Sequence, residues 1–296
     1  MTVWAGLSVA FLGGDAREVE MAALAVAEGA AVRRFGTPEV DVGRPSGGLV
    51  DSLAEALSGA RVAVGPIPLP GPDGRIFAPS AAEPIYLTAE VLRRMALSAH
   101  VVIGKADPGL RQAAADCGVR VHEYEHDTEL MLLRTPAIAE GAIAVAIQRS
   151  PVTIHGSPIA VIGFGRTARI LTRTLLALGA RVHVVARRPE ARAEAIAMGA
   201  QATDLAGIAD LFRGMAIVFN TVPARVLSRG ALGRLPRGAL VVDMSAPPGG
   251  VDGEVATELG LDHVWARGLG ASAPRTVAAS QWAGVSRIVA AALAQD

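Results

Sequence analysis

The chain is poor in cysteine, lysine, aromatic residues and net charge, and each scarcity excludes something. Its single cysteine, Cys117, rules out an internal disulfide and any cysteine-based zinc cluster; placed before Gly118, it reads as a small buried hydrophobe. A formal net charge of +0 argues against a general nucleic-acid binder or a membrane-surface protein, since both need a cationic face. Residues 1–10 lack a basic segment followed by a long apolar core and a cleavage site, so no secretory signal is expected. Apolar runs are broken by glycine, proline or charge before membrane-spanning length, and a soluble cytoplasmic protein is the expectation.

What is present is apolar and alternating. With 296 residues, 51% of them hydrophobic and 19% charged, the chain can build two cores, and two domains are expected. Short strand-like runs at 7–12, 31–35, 61–65, 100–104 and 119–122 are separated by helical segments, among them 18–27, 87–97 and 108–116. This pattern predicts a parallel sheet with crossover helices, a flavodoxin-like N-terminal domain. The Pro/Gly-rich stretch 65–74 is a loop at the carboxyl end of a strand, where open α/β sheets place ligands. A helix is expected from Pro136 to Gln148, after a connection ending at Thr135. Strands follow at 158–162, 182–186, 201–202, 216–220, 239–243 and 263–265, enough for a complete Rossmann sheet, and a last helix at 277–293. The fold class is therefore α/β with two doubly wound parallel-sheet domains. Residues 1–134 form the substrate and catalytic domain, with helix 274–296 packing back on it, and 135–273 the NADP-binding Rossmann domain with connecting helix 136–148.

The most specific local signal is Pro158-Ile159-Ala160-Val161-Ile162-Gly163-Phe164-Gly165-Arg166-Thr167-Ala168. A strand-length apolar run enters a turn with glycine at its first and third positions, and a helical pattern follows at once, which is the G-x-G-x-x-G/A fingerprint in its required context. Gly163 allows the tight turn, Gly165 lets the backbone approach a pyrophosphate, and Ala168 lets the helix pack on the strand. A βα turn needing glycine only for packing is the alternative. The next strand ends Ala186-Arg187-Arg188-Pro189, with no carboxylate before Glu190. Two guanidiniums there suit a 2′-phosphate and favour NADP over NAD. Asn220-Thr221-Val222-Pro223 closes the fourth strand and offers hydrogen bonds to a ribose or to its own loop.

In the first domain, Gly13-Gly14-Asp15-Ala16-Arg17 gathers backbone donors, a carboxylate and a guanidinium at a strand tip. Lys105, the sole lysine, stands just past the fourth strand as an anion contact or proton donor. His122 and His126 are near each other without a third ligand, so no metal site is expected. His100 reads as structural, and His155 as holding a loop.

Gly13 to Arg17, Ala139-Glu140-Gly141-Ala142-Ile143, Thr153-Ile154-His155-Gly156-Ser157, Gly163-Phe164-Gly165-Arg166-Thr167, Asn220-Thr221-Val222-Pro223 and Pro248-Gly249-Gly250 occur in an order that resembles the A subunit of dipicolinate synthase from spore-forming bacteria. The chain departs from that pattern in several stretches, among them Arg267-Gly268-Leu269-Gly270 and Ala273-Pro274-Arg275-Thr276 near the C-terminus, where the family resembles Pro-Gly-Leu-Pro-Gly and Ala-Pro-Lys-Thr. Arg134-Thr135-Pro136-Ala137-Ile138-Ala139-Glu140-Gly141 stands where the family resembles Asn-x-x-Pro-Thr-x-Glu-Gly, and Pro247-Pro248-Gly249-Gly250-Val251-Asp252 where it resembles Arg-Pro-Gly-Gly-Thr-Asp. The resemblance implies NADP-linked formation of dipicolinate from dihydrodipicolinate or 4-hydroxy-tetrahydrodipicolinate, with a flavoprotein-like B subunit for a partner. Arg17, Lys105, Arg166 and Arg275 are then candidate carboxylate clamps, and Glu140 and Asp15 candidate catalytic groups. A homo-oligomer is expected. Two other readings stay open: an NADP-dependent oxidoreductase of another small carboxylic acid, and a non-catalytic dinucleotide-binding subunit.

Overall fold

The computed structural model describes residues 2–68 and 70–296. Leu69, within the Pro/Gly-rich stretch, lies outside the described residues. The chain divides into two compact units, Met1–Arg134 with Ala273–Asp296, and Thr135–Ser272.

The first unit runs β1 (Ser8–Leu12), α1 (Ala16–Ala27), β2 (Ala31–Phe35), β3 (Gly48–Leu49), α2 (Leu53–Leu57), β4 (Val62–Val64), α3 (Ala89–Leu92), β5 (His100–Ile103), α4 (Pro108–Ala115), β6 (Arg120–Glu123) and α5 (Thr128–Leu133). Its strands pair in parallel in the order β3-β2-β1-β4-β5-β6. Without the two-residue edge strand β3, whose polar and glycine surroundings give no strand signal, this is the flavodoxin-like order; with it, the order is that of the dinucleotide-binding fold. Central strands are apolar on both faces because helices cover both: Val9 and Phe11 of β1 enter one core, Ala10 and Leu12 the other.

The second unit runs α6 (Thr135–Arg149), β7 (Pro158–Ile162), α7 (Arg166–Ala177), β8 (Arg181–Val185), α8 (Pro189–Ala197), β9 (Gln201–Thr203), α9 (Ile208–Phe212), β10 (Ile217–Asn220), α10 (Arg229–Leu232), β11 (Leu240–Asp243), α11 (Gly253–Glu258) and β12 (Asp262–Trp265). The order β12-β11-β10-β7-β8-β9 is the same topology as in the first unit, parallel throughout. The chain then returns to the first unit as α12 (Pro274–Leu293), which packs on α1 and α5 and stacks Trp282 on Trp4 with ring centroids 4.4 Å apart.

Several elements differ from the pattern in the sequence. The expected helix 87–97 is helical only at Ala89–Leu92: Thr88 makes no side-chain cap, and the chain tightens into turns in which Arg94 N–H donates to Val91 O and Met95 N–H to Leu92 O. Residues expected as a connection before Pro136 contain α5, capped by Asp127 accepting from Leu130 N–H. Thr128–Arg149 is long and apolar enough by length and composition to cross a membrane, contrary to the expectation of short runs only. Arg134 breaks it into α5 and α6, of 6 and 15 residues, each shorter than a bilayer span. His122 pairs with His100 (3.0 Å) rather than with His126, which faces Glu123. His155 Nδ1 lies 3.2 Å from Leu178 O, a loop contact.

Candidate functional site

In an open α/β sheet the crevice lies outside the carboxyl ends of the strands where their order reverses, and in the second unit that point is between β7 and β10. Gly163 sits at φ +93°, and a Cβ there would meet Thr221 Oγ1 at 2.5 Å and Val222 Cγ2 at 2.9 Å, so the fold itself demands glycine. Gly165, the N-cap of α7, differs: its φ is −82°, and a Cβ would meet nothing within 4 Å. No side chain caps α7, so its first N–H groups are left to a ligand or solvent. Ala168 is fully buried against the β7 core, and Arg166 is exposed with no ion pair among the described residues.

The turn borders a cleft of about 350 Å³ whose lining includes Gly163, Gly165, Ala186, Arg187, Arg188 and Val222. Arg187 and Arg188 are exposed, and neither side chain has a partner among the described residues. Arg192, which the sequence did not single out, donates to Ala186 O and Arg187 O (2.9 Å each) and so holds the loop that presents the two guanidiniums. Its signal was an arginine four residues after Arg188 on the first turns of α8.

Asn220 does not face this cleft. It is fully buried, with Nδ2 donating to Val222 O and to Asp243 Oδ1 and Oδ1 accepting from Val222 N–H. Asp243 in turn accepts from Ser245 N–H and Oγ–H, Gly250 N–H and Val251 N–H. Burial pushes the Asp243 carboxyl up, but these bonds outweigh it and hold it below the usual carboxylate range. One buried carboxylate thus ties the β10 and β11 tips together, and Gly249-Gly250 form its turn. Thr221 is likewise used by the protein, donating to Ile162 O (2.8 Å).

The equivalent point of the first unit, between β1 and β4, is built differently. Gly13 N–H donates to Phe35 O and Gly14 N–H to Phe77 O, and a Cβ on Gly13 would lie 2.7 Å from Phe77 O. These glycines pack against protein. Asp15 caps α1, and its carboxylate takes Arg17 in a fork, Nε to Oδ1 at 2.8 Å and Nη2 to Oδ2 at 2.7 Å. Arg17, expected as a substrate clamp, is therefore buried and already committed on that edge. Burial raises the Asp15 carboxyl, yet Arg17 outweighs it and lowers the pKa. Glu18 completes the capping box by accepting from Asp15 N–H (2.7 Å); fully buried, it is pushed up to about 7 by desolvation against the opposing pull of Arg17.

Of the remaining expected site residues, Lys105 is exposed after β5 and forms no hydrogen bond or ion pair with Asp15 or Arg17. Glu140 is exposed on α6, in the second unit, and Arg275 pairs with Glu20 at 3.4 Å. Tyr124 and Arg134, which act on Glu18, and Gln281 beside Tyr124 were not anticipated: they come from the ends of β6 and α5 and from α12, and no local motif links them.

Comparison with known proteins bears on both units. Residues 8–125 match the family described as the N-terminal domain of the dipicolinate synthase A subunit, and residues 158–247 the family described as NADP oxidoreductase coenzyme F420-dependent. The chain is 28% identical over 274 residues to the A subunit of dipicolinate synthase of Bacillus subtilis (strain 168), covering 92% of each chain. Among solved structures it is similar to the A subunit of dipicolinate synthase of Bacillus halodurans, with a TM-score of 0.86 and 26% identity over 97% of this chain and 99% of that one. The Bacillus subtilis structure gives a TM-score of 0.83 and 26% identity over 99% and 98%. The chain is therefore a divergent relative of the dipicolinate synthase A subunit, with an oxidoreductase-type dinucleotide-binding domain as its second unit.

Proposed function

We propose that the protein is an NADP-dependent oxidoreductase that converts dihydrodipicolinate or 4-hydroxy-tetrahydrodipicolinate into dipicolinate. The observation that carries this reading is Gly165: the protein around it leaves room for a side chain, so a ligand is what the glycine accommodates, at the uncapped end of α7. In this reading the backbone at Gly163, Gly165, Arg166 and Thr167 receives the pyrophosphate. Ala186, Arg187 and Arg188 receive the adenosine ribose and its 2′-phosphate, and Thr221 and Val222 border the nicotinamide half, with Asn220 acting through the loop it holds. Bound NADP supplies the hydride acceptor. Residues 1–134 with 274–296 form the substrate unit and 135–273 the cofactor unit.

Aromatising dihydrodipicolinate requires loss of a hydride from carbon and of a proton, and the 4-hydroxy-tetrahydro precursor must lose its hydroxyl as water besides; the hydride and proton losses are eased when the substrate carboxylates are held by cations and backbone donors. Lys105 in the first unit, exposed and unpaired among the described residues, is a carboxylate anchor of this reading, Arg17 and Arg275 being already paired within the protein; in the second unit Arg166, likewise exposed and unpaired, is the candidate anchor and Glu140 the candidate acid/base group. A cytoplasmic location, a homo-oligomer and a flavoprotein-like B subunit accompany the reading. Arg17's commitment to Asp15 favours a second one, an NADP-dependent oxidoreductase of another small carboxylic acid, because a clamp expected for a dicarboxylate is spent internally.

The test is turnover. Purified protein with NADP and the ring-closed product of dihydrodipicolinate synthase is expected to form dipicolinate, identified by mass, together with NADPH. Cofactor binding with no dipicolinate, with or without an added B subunit, would move the assignment to the other oxidoreductase or to a non-catalytic role.

A further inference from the structure

The β1 and β4 tips of the first unit gather more buried polar chemistry than the fold requires. Glu18, Tyr124 and Gln281 are fully buried there, and Arg134 comes up beside them from the end of α5. Glu18 uses one oxygen in the capping box; its Oε1 is buried with no hydrogen-bond partner. The Tyr124 hydroxyl donates to Gly65 O (2.7 Å), and neither amide atom of the adjacent Gln281 has a well-formed partner. Arg134 has a single hydrogen bond among the described residues, from Nη1 to the Met131 thioether at 3.7 Å, and its Nε is buried without one. A buried guanidinium normally carries a carboxylate partner, and a buried donor left without one is costly to the fold. Arg134 makes no ion pair within 4 Å among the described residues; the carboxylate of Glu125 acts on it from farther away and has its own Oε2 buried without a hydrogen-bond partner. Asp15 is held by Arg17, and Asp127 by Arg287. The donors left over, a guanidinium and a primary amide, match one carboxylate group.

We propose that the β1 and β4 tips of the first unit form a carboxylate-binding site in which Arg134 and the Gln281 amide take the anion, with Glu18 beside them as the neutral acid. The site deepens the functional reading above, on which it rests only for the identity of the carboxylate, one of the two on dipicolinate or its precursor. Keeping Glu18 protonated preserves the positive field of Arg134 for the ligand; ionised, Glu18 would neutralise it. The charged and titratable groups facing Glu18 are Asp15 and Arg17 at its own helix end, Tyr124 after β6 and Arg134 after α5, and Glu125, next to Tyr124, acts in turn on Arg134. Desolvation sets Glu18 at about 7, so carboxylate affinity should be high below that pH and fall above it.

The experiment is calorimetry of the full chain with dipicolinate and, separately, glutarate as a non-aromatic dicarboxylate, at pH 6 and pH 8.5, alongside NADP titrations. Wild type should bind dipicolinate more tightly at pH 6. Arg134→Ala and the milder Arg134→Lys should weaken binding by at least about tenfold, the loss of one charge-assisted contact, while NADP affinity stays unchanged. Gln281→Leu removes an orphaned amide, so it should fold at least as well as wild type and still bind the dicarboxylate less tightly. Glu18→Gln, neutral at every pH, should bind with the same affinity at both. Dipicolinate bound equally by wild type and the Arg134 variants overturns the site and leaves the functional reading standing. Arg134-dependent binding of glutarate without dipicolinate keeps the site and removes that reading. No binding of either dicarboxylate, or a pH dependence that survives in Glu18→Gln, overturns the proposal.

Discussion

The two units share one strand order and place a glycine turn at the same topological point, yet the two turns are opposites in chemistry. At β7 the turn opens on a cleft rimmed by two unpaired arginines, and its second glycine faces space. At β1 both glycines press on protein, and the groups behind them are buried, charged and packed around Glu18. Topology thus sets where a crevice forms, while the residues at the strand tips decide whether it meets a large anion with exposed backbone or holds a few buried polar groups at high electrostatic stakes.

Exchanging glycines should separate the two turns most sharply. Gly14→Val should prevent stable folding, because φ is +83° and the new Cβ would fall on the Glu18 carboxylate. Gly165→Val should fold with the thermal midpoint of wild type and lose NADP binding, read as loss of stabilisation by the cofactor. Equal stabilisation of both proteins by NADP would make the second turn a packing device as well.

A smaller effect is expected at the carboxylate that fixes the second unit's loop. Asp243→Asn would set an amide N–H against donors already aimed at that position, from Asn220, Ser245, Gly250 and Val251. The cost should be roughly 3–4 kcal/mol in denaturant unfolding. In the first unit the buried carboxylate acts in the opposite sense. Glu18 has its pKa raised from 4.5 to about 7, so its contribution to stability is fully present below the unfolded value and lost as pH rises through the folded one. Glu18→Gln, which keeps the capping hydrogen bond, should therefore be more stable than wild type above pH 7 by up to about 3 kcal/mol and show no gain below pH 4. A constant difference across that range would mean that Glu18 does not titrate there.

The smallest effect belongs to the exposed pair. Arg187→Ala with Arg188→Ala should weaken NADP by about ten- to thirtyfold, since solvent screens guanidiniums this exposed, and change NAD affinity little. Calorimetry with both cofactors decides it; equal wild-type affinities for NADP and NAD would remove the basis for the preference.

The sequence made the regular part of this protein legible. Both sheets follow from short apolar runs spaced by helical periodicity, because a parallel strand covered on both faces must be apolar throughout, and the β7 turn was readable because its glycines, strand and helix are contiguous. What carried no periodic signal was missed or misjudged: β3 has two residues, α3 has four, and α5 hides in an apolar run that α6 continues. Asp15 and Glu18 stand three residues apart, the spacing of a capping box, but nothing in that spacing shows that the glutamate is fully buried.

The chain's local pattern alone determined that there are two doubly wound sheets and where the dinucleotide fingerprint lies, since both depend on residues within one turn or one strand of each other. Tertiary structure alone decided that Asn220 and Asp243 serve the loop, that Arg17 is spent on Asp15, and that Glu18, Tyr124, Arg134 and Gln281 share one buried environment. Burial, hydrogen-bond completion and pKa depend on neighbours brought together in space, for Glu18 from more than a hundred residues away in the chain, and no local spacing in the sequence encodes that meeting.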